Sequence, residues 1–217
     1  MRVVIAGGHG KIALRTTTLL AARGDTVVGL VRNPDHVDDV RAAGGDAQVL
    51  DLEKADVNEV AAAVAGADAV VFAAGAGPGS GAARKETVDK GAAVLLADAA
   101  EVAEVRRYLQ ISAMGLDRAD DPDMDEVFAG YLRAKAAAEQ DLMARGLEWT
   151  VLRPGRLTDD PGTGRVMLGE HVPPGEVTRD DVAAVCVGLL DTPAGVRRVL
   201  ELVGGDVPVG DALAALA

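Results

Sequence analysis

The chain has 217 residues, 49% hydrophobic and 26% charged, enough for one sizeable core and too few for two full domains. A formal net charge of −12 repels phosphate polymers and anionic headgroups, so neither nucleic acid nor a membrane surface is an expected partner. The single cysteine, Cys186, excludes an internal disulfide, and no CxxC or HExxH spacing offers a metal site, which fits a reducing cytoplasm.

The opening run "MRVVIAGG" stops at Gly7, too early for a signal-peptide core, and reads as a first strand. In the following "GGHGKIALRTTTLLAARG", Gly7, Gly10 and Ala13 make a GxxGxxA pattern between that strand and a helix expected to end at Gly24. Gly7 permits the tight turn, Gly10 lets backbone N–H groups approach a pyrophosphate at the helix N-terminus, and Ala13 is the small contact where helix crosses sheet. A P-loop would need Gly at position 5 and Ser or Thr at position 12, where the chain has Ile5 and Ile12. His9, Lys11 and Ile12 fall along the expected pyrophosphate path.

The second strand, "TVVGLVR", ends in Arg32, where an NAD-binding fold would carry Asp or Glu for the ribose 2′-hydroxyl. A guanidinium grips a 2′-phosphate instead, so NADP(H) is the expected cofactor, the alternative being a solvated arginine in the turn before Pro34. "AQVLDL" places Asp51 and Leu52 beside an adenine, and "AVVFAAG" brings Ala73, Ala74 and Gly75 to the adenine ribose. The most apolar window, residues 61–83, contains Asp68, several glycines and Pro78 and is no spanning helix. Two loop-like insertions follow strands, "GAGPGSGAARKE" (75–86) and "DRADDPDMDE" (117–126). The second lacks the residues of a calcium loop and reads as helix N-terminal charge.

"RYLQIS" is the fifth strand and ends at Ser112, a hydroxyl able to orient a carbonyl, or simply a turn serine. "YLRAK" then sets Tyr131 and Lys135 on one face of a helix expected to run to Gly146. An ammonium beside a phenol favours phenolate and suits the pair to acid–base work, although alone it equally describes a solvated helix face. "WTVLRPG" is the sixth strand, "VTRDDVAAVCVGLLD" a helix capped by Thr178 with Cys186 in its apolar stripe, and "RVLELV" the seventh strand. Strands apolar on both faces, alternating with helices, predict an α/β fold: a doubly wound, mostly parallel Rossmann-type sheet of about seven strands with helices on both faces. The expected organisation is one domain over 1–217, with residues 155–217 a small extension contributing to a substrate pocket.

The motifs "GGHGKIA", "LVRNP", "DLE", "AAGAG", "VDKGAAVLLADAA", "ISAMG", "YLRAKAAAEQ" and "LEWTVLRPGRLTDDPGTGRV" together resemble the atypical short-chain dehydrogenase/reductases, in the NAD(P)H-binding group labelled epimerase-like. The resemblance spans essentially the whole chain. It implies Tyr131 as proton donor, Ser112 as its helper, and Lys135 binding the nicotinamide ribose while lowering the Tyr131 pKa. It also implies Asp89 where relatives carry the Asn of a catalytic tetrad, and Pro154 with Gly155 in a turn at the nicotinamide amide. The expected function is hydride transfer from NADPH to a small carbonyl, quinone or similar acceptor, with a small-molecule substrate as the partner and a monomer or homodimer as the assembly. A cofactor sensor without turnover and a flavin- or tetrapyrrole-type reductase are the alternatives. A nucleotide-sugar epimerase is disfavoured because only about sixty residues follow Gly155.

Overall fold

In the computed structural model, which describes residues 1–77 and 84–217, β1 (Arg2–Ala6) and β4 (Ala69–Phe72) lie side by side at the centre of the sheet. Residues 78–83, the middle of the first loop-like insertion, lie outside the described residues. Beyond β1 follow β2 (Thr26–Val31) and β3 (Asp46–Val49), and beyond β4 come β5 (Arg107–Ile111), β6 (Glu148–Pro154) and β10 (Arg198–Gly204). These seven strands are mutually parallel, and they are the seven expected from β-branched runs. The expected count falls short at the far edge, where β8 (Arg165–Gly169) adds antiparallel to β10 and β11 (Val207–Pro208) adds antiparallel to β8, bringing the sheet to nine strands among the described residues. A separate parallel pair joins β7 (Arg156–Thr158) to β9 (Glu176–Thr178). The added strands are short and polar-flanked, so they carry no periodic signal of their own.

Because successive residues of a strand face opposite ways, Val4 and Ala6 of β1 enter one core layer while Val3 and Ile5 enter the other. The first layer is covered by α3 (Val57–Val64), α4 (Ala92–Val102) and α5 (Glu126–Met143), the second by α1 (Lys11–Ala22), α6 (Arg179–Asp191) and α7 (Val209–Ala214). A short α2 (Val37–Ala42) packs near β3. β3 departs from the expectation of apolar faces: as the edge strand it is mostly exposed. The helix carrying Tyr131 ends at Met143, capped at Ala144, so Gly146 lies beyond its end and is not the residue that stops it. Its N-terminus is capped by Asp125, whose carboxylate accepts from the Phe128 N–H at 3.0 Å, as the acidic loop suggested.

Buried charges pin the C-terminal elements to this frame. Thr178 caps α6, and the buried Asp181 carboxylate accepts from the N–H groups of Thr163 (3.0 Å) and Gly164 (2.8 Å). The loop leading into β8 is thereby fixed to the first turn of α6, within the same connection from β6 to β10. Arg107 donates to the Leu189 carbonyl in the last turn of α6 (2.7 Å) and to the Glu148 carbonyl (2.6 Å), and burial brings its guanidinium down to about 10. No helix among the described residues is long and apolar enough to cross a membrane.

Cys186 lies fully buried in the α6 stripe, and burial pushes its thiol up to about 12. At pH 8 the native protein should react with an aromatic disulfide reagent at far below one thiol per chain, and at one thiol per chain in denaturant. In the unfolded chain the thiol ionises near its ordinary value of 9.0, whereas the folded chain keeps the proton. Its effect on stability is therefore nil below about pH 9 and unfavourable as pH climbs towards 12. Chemical denaturation of Cys186→Ala should show a smaller loss of stability between pH 9 and 11 than the parent.

Candidate functional site

The chain leaves β1 towards β2 and α1 on one face and leaves β4 towards α4 on the other, so a crevice opens over the carboxyl ends of the two strands. Gly7 makes the first turn with φ of +78°, and a Cβ there would lie 2.6 Å from Ala74 Cα. Gly8, absent from the three-position motif, is equally constrained: its Cβ would lie 2.5 Å from Gly29 Cα of β2. These approaches draw the β1 turn against both neighbouring strands. α1 then starts at Gly10 with no side-chain cap and no acidic residue in its first turn. Ala13 is buried against the sheet. The result is a helix N-terminus suited to an anion.

Two concavities meet over this turn and share Ala73, Ala74 and Gly75. The first, a cleft of about 240 Å³, is bordered by Gly7, His9, Gly10, Arg32, Asp51 and Leu52, all singled out by the sequence. It also contains residues the sequence reading missed: Asn33, His36, Glu53 and Arg84. His9 and His36 stack with ring centroids 3.6 Å apart, and His9 Nε2 lies 2.7 Å from Asp39 Oδ2. Of the four, Asn33 and Glu53 fall within the motifs "LVRNP" and "DLE", although the sequence assigns neither a role; His36 and Arg84 come from segments without a recognisable pattern.

The second cavity, of about 760 Å³, is bordered by Ile12, Asp89, Ser112, Tyr131 and Lys135, again with residues not foreseen: Lys85, Asp125, Val127, Phe128 and Leu157. Leu157 is the contribution of the region after Gly155. Phe128 stacks on Tyr131 at 5.8 Å and is half exposed, while the Lys85 ammonium sits 5.1 Å from the Tyr131 ring centroid. Ser112 is held by its N–H on the Leu152 carbonyl (2.8 Å), and its buried Oγ has no hydrogen-bond partner among the described residues. A buried hydroxyl is costly to leave unpaired, so Ser112 can donate to a group that enters this cavity.

Asp89 belongs to a wide, π-helical turn over Lys85–Gly91. Its Oδ2 accepts from the Ala76 N–H (3.2 Å) and its Oδ1 lies 3.4 Å from Lys135 Nζ, both side chains being essentially inaccessible. Lys135 also donates to the carbonyls of Ile111 (3.3 Å) and Ala74 (3.5 Å). Burial lowers the Lys135 pKa, opposed by the Asp89 charge.

That pairing overturns the expected effect of Lys135 on Tyr131. Burial, and then the negative charge of Asp89, raise the phenol above its ordinary value instead of lowering it. The ammonium lies 5.9 Å from the Tyr131 ring centroid with its charge offset by Asp89. Two cofactor candidates lie elsewhere. Lys11 is solvent-exposed on Asp159 (2.6 Å) and borders neither concavity, and Pro154 stays within β6 against Leu202, its carbonyl accepting from the Met114 N–H.

The family model for NAD(P)H-binding proteins matches residues 7–193. YhfK of Bacillus subtilis (strain 168), described as an uncharacterized sugar epimerase, is 33% identical over 98% of this chain and 99% of its own length. Among solved structures, a Bacillus halodurans protein provisionally assigned as an NAD-dependent epimerase/dehydratase superposes with a TM-score of 0.92 at 32% identity, covering 99% of both chains. ChuY, an anaerobillin reductase from Escherichia coli O157:H7, superposes with a TM-score of 0.78 at 26% identity, covering 95% of this chain and 98% of its own.

Removing the Asp89 charge by Asp89→Asn should move the Tyr131 titration to lower pH. Ultraviolet titration near 295 nm reads it, with Tyr131→Phe in each background isolating it from Tyr108. An unchanged midpoint would show that burial alone sets the phenol.

Proposed function

The chain belongs to the NAD(P)H-binding family, with the fold of the atypical short-chain dehydrogenase/reductases, and on that premise we propose that it is an NADP(H)-dependent oxidoreductase reducing a small carbonyl, quinone or similar acceptor. The observation that carries the reading is the continuity of the two concavities. The first is bordered by Arg32 and the turn into an uncapped helix N-terminus, and the second, which shares Ala73, Ala74 and Gly75 with it, is bordered by a tyrosine, a buried lysine and a serine whose hydroxyl has no hydrogen-bond partner among the described residues.

The residues present fit the cofactor. Arg32 would hold a 2′-phosphate, Asp51 and Leu52 would flank the adenine, and the first amides of α1 would face the pyrophosphate. When bound, the nicotinamide supplies a hydride. Ser112 Oγ supplies the hydrogen bond that orients the acceptor's carbonyl oxygen. Tyr131 donates the proton that oxygen needs as it gains negative charge; the phenol is protonated at neutral pH, and burial with the Asp89 charge holds that proton more tightly than in a free tyrosine. Lys135 is held by three contacts of 3.3–3.5 Å, long enough for a ribose hydroxyl to replace one. Val127, Phe128 and Leu157 give the cavity an apolar lining that suits a flat acceptor and reduces access of water.

The same raised phenol pKa disfavours an epimerase-type reaction begun by Tyr131 as a base. The Lys135–Asp89 pair favours a second reading, cofactor binding without turnover, because it offsets the charge of the ammonium that would otherwise ease proton loss from Tyr131.

NADPH oxidation followed at 340 nm over aldehydes, ketones, quinones and flavins, beside a nucleotide-sugar panel, tests the proposal. With an accepted carbonyl, Tyr131→Phe should lower kcat on the order of 100-fold or more with cofactor affinity nearly unchanged. Unaltered turnover would transfer the chemistry to a flavin-type reduction that needs no tyrosine, and oxidation of no acceptor would favour the sensor. Arg32→Asp should weaken NADP(H) binding by roughly 10- to 100-fold while sparing NAD(H); equal losses would remove Arg32 from the 2′-phosphate.

A further inference from the structure

Glu53 follows the adenine-side pair Asp51 and Leu52, and three donors converge on its carboxylate. Arg32 Nη1 (2.9 Å) and Arg84 Nη2 (3.1 Å) share Oε2, while Thr87 Oγ1 donates to Oε1 at 2.7 Å. The donors come from separate parts of the chain, Arg32 from the end of β2 and the other two from the start of the 84–91 segment. Glu53, Arg32 and Arg84 all border the first cleft. The Glu53 side chain is 21% exposed, against 52% and 40% for the two arginines, so the carboxylate is the sheltered centre of the cluster.

The arrangement combines two devices that dinucleotide sites use separately. A guanidinium selects a ribose 2′-phosphate, and a carboxylate accepts from a ribose 2′-hydroxyl. Here both occur within one ion-pair cluster. A phosphate entering at Arg32 and Arg84 meets an anion already bound to them, and it adds up to two negative charges beside that anion. Burial works to raise the Glu53 carboxyl, but hydrogen bonds from Thr87, Arg84 and Arg32 together with the Arg84 charge outweigh it and hold it below its ordinary value. Protonation therefore offers no relief at neutral pH.

We propose that Glu53 is the specificity-determining residue of the adenosine cleft: it competes with a 2′-phosphate for Arg32 and Arg84, and it accepts the 2′-hydroxyl of an unphosphorylated ribose. The proposal rests on reading this cleft as the adenosine end of an NADP(H) site. It makes the preference conferred by Arg32 smaller than that residue alone would give. NAD(H) is then a ligand the site is equipped to hold.

The test uses the full chain and measures dissociation constants for NADP⁺, NAD⁺, 2′,5′-ADP and 5′-ADP by calorimetry. Glu53→Gln keeps the shape of the side chain and its capacity to accept from Thr87, and removes the charge. It should tighten NADP⁺ and 2′,5′-ADP about tenfold and leave NAD⁺ and 5′-ADP unchanged or weaker. Arg84→Gln should weaken the two 2′-phosphorylated ligands selectively, and it serves as an independent check if Glu53→Gln does not fold. An unchanged ratio of NADP⁺ to NAD⁺ affinity in either folded variant would overturn the role of Glu53 while leaving the cofactor site in place. Failure of the parent chain to bind any of the four ligands would overturn the cofactor reading and this inference with it.

Discussion

The groove depends on how closely the first turn is pressed into the sheet. Gly7 against Ala74 and Gly8 against Gly29 leave no room for a side chain, so the backbone after β1 is held between β4 and β2. Only that approach brings the open end of α1 level with the ends of both strands. A β-carbon at either position would push the helix N-terminus away from the crevice, with effects on anion binding out of proportion to one methyl group. The core on both faces of the sheet makes this registry stiff: β1 is fully buried beyond Arg2, and its alternate residues are locked into separate layers.

The central parallel sheet was legible in the sequence because buried strands advertise themselves as β-branched runs between helical patterns. Arg32, Asp51 and Leu52 were legible for a related reason, since the ends of such strands have a fixed relation to the crevice. What escaped was nonlocal. β8 forms on the edge of β10, and β11 in turn on β8. His36, Arg84 and Lys85 reach the groove through segments whose direction no local pattern specifies. The error about Tyr131 has the same origin: four-residue spacing on α5 correctly placed Lys135 nearby, but it carried no information about Asp89, which arrives from a different segment and claims the ammonium.

An acidic chain that binds an anionic cofactor has to create local positive potential, and the arginines available to do so are mostly engaged. Arg15 and Arg179 lie on carboxylates beside the start of α1, Arg153 on the buried Glu139, and Arg145 on three acidic residues. With exposed pairs contributing at most about 1 kcal/mol, much of this network serves placement more than stability. The backbone dipole of α1 matters more in such a setting, because it supplies partial positive charge that no carboxylate in its first turn offsets.

The wide turn over Lys85–Gly91 has residues committed at both ends of the groove. Arg84 and Thr87, at its start, are tied to the adenosine cleft, while Lys85 and Asp89 border the cavity of Tyr131. Seven residues wound with π-type bonds form a less regular link than an α-helix, but still a continuous one. One segment thus contributes side chains to both concavities. A substitution that shifts this turn therefore acts on both concavities at once.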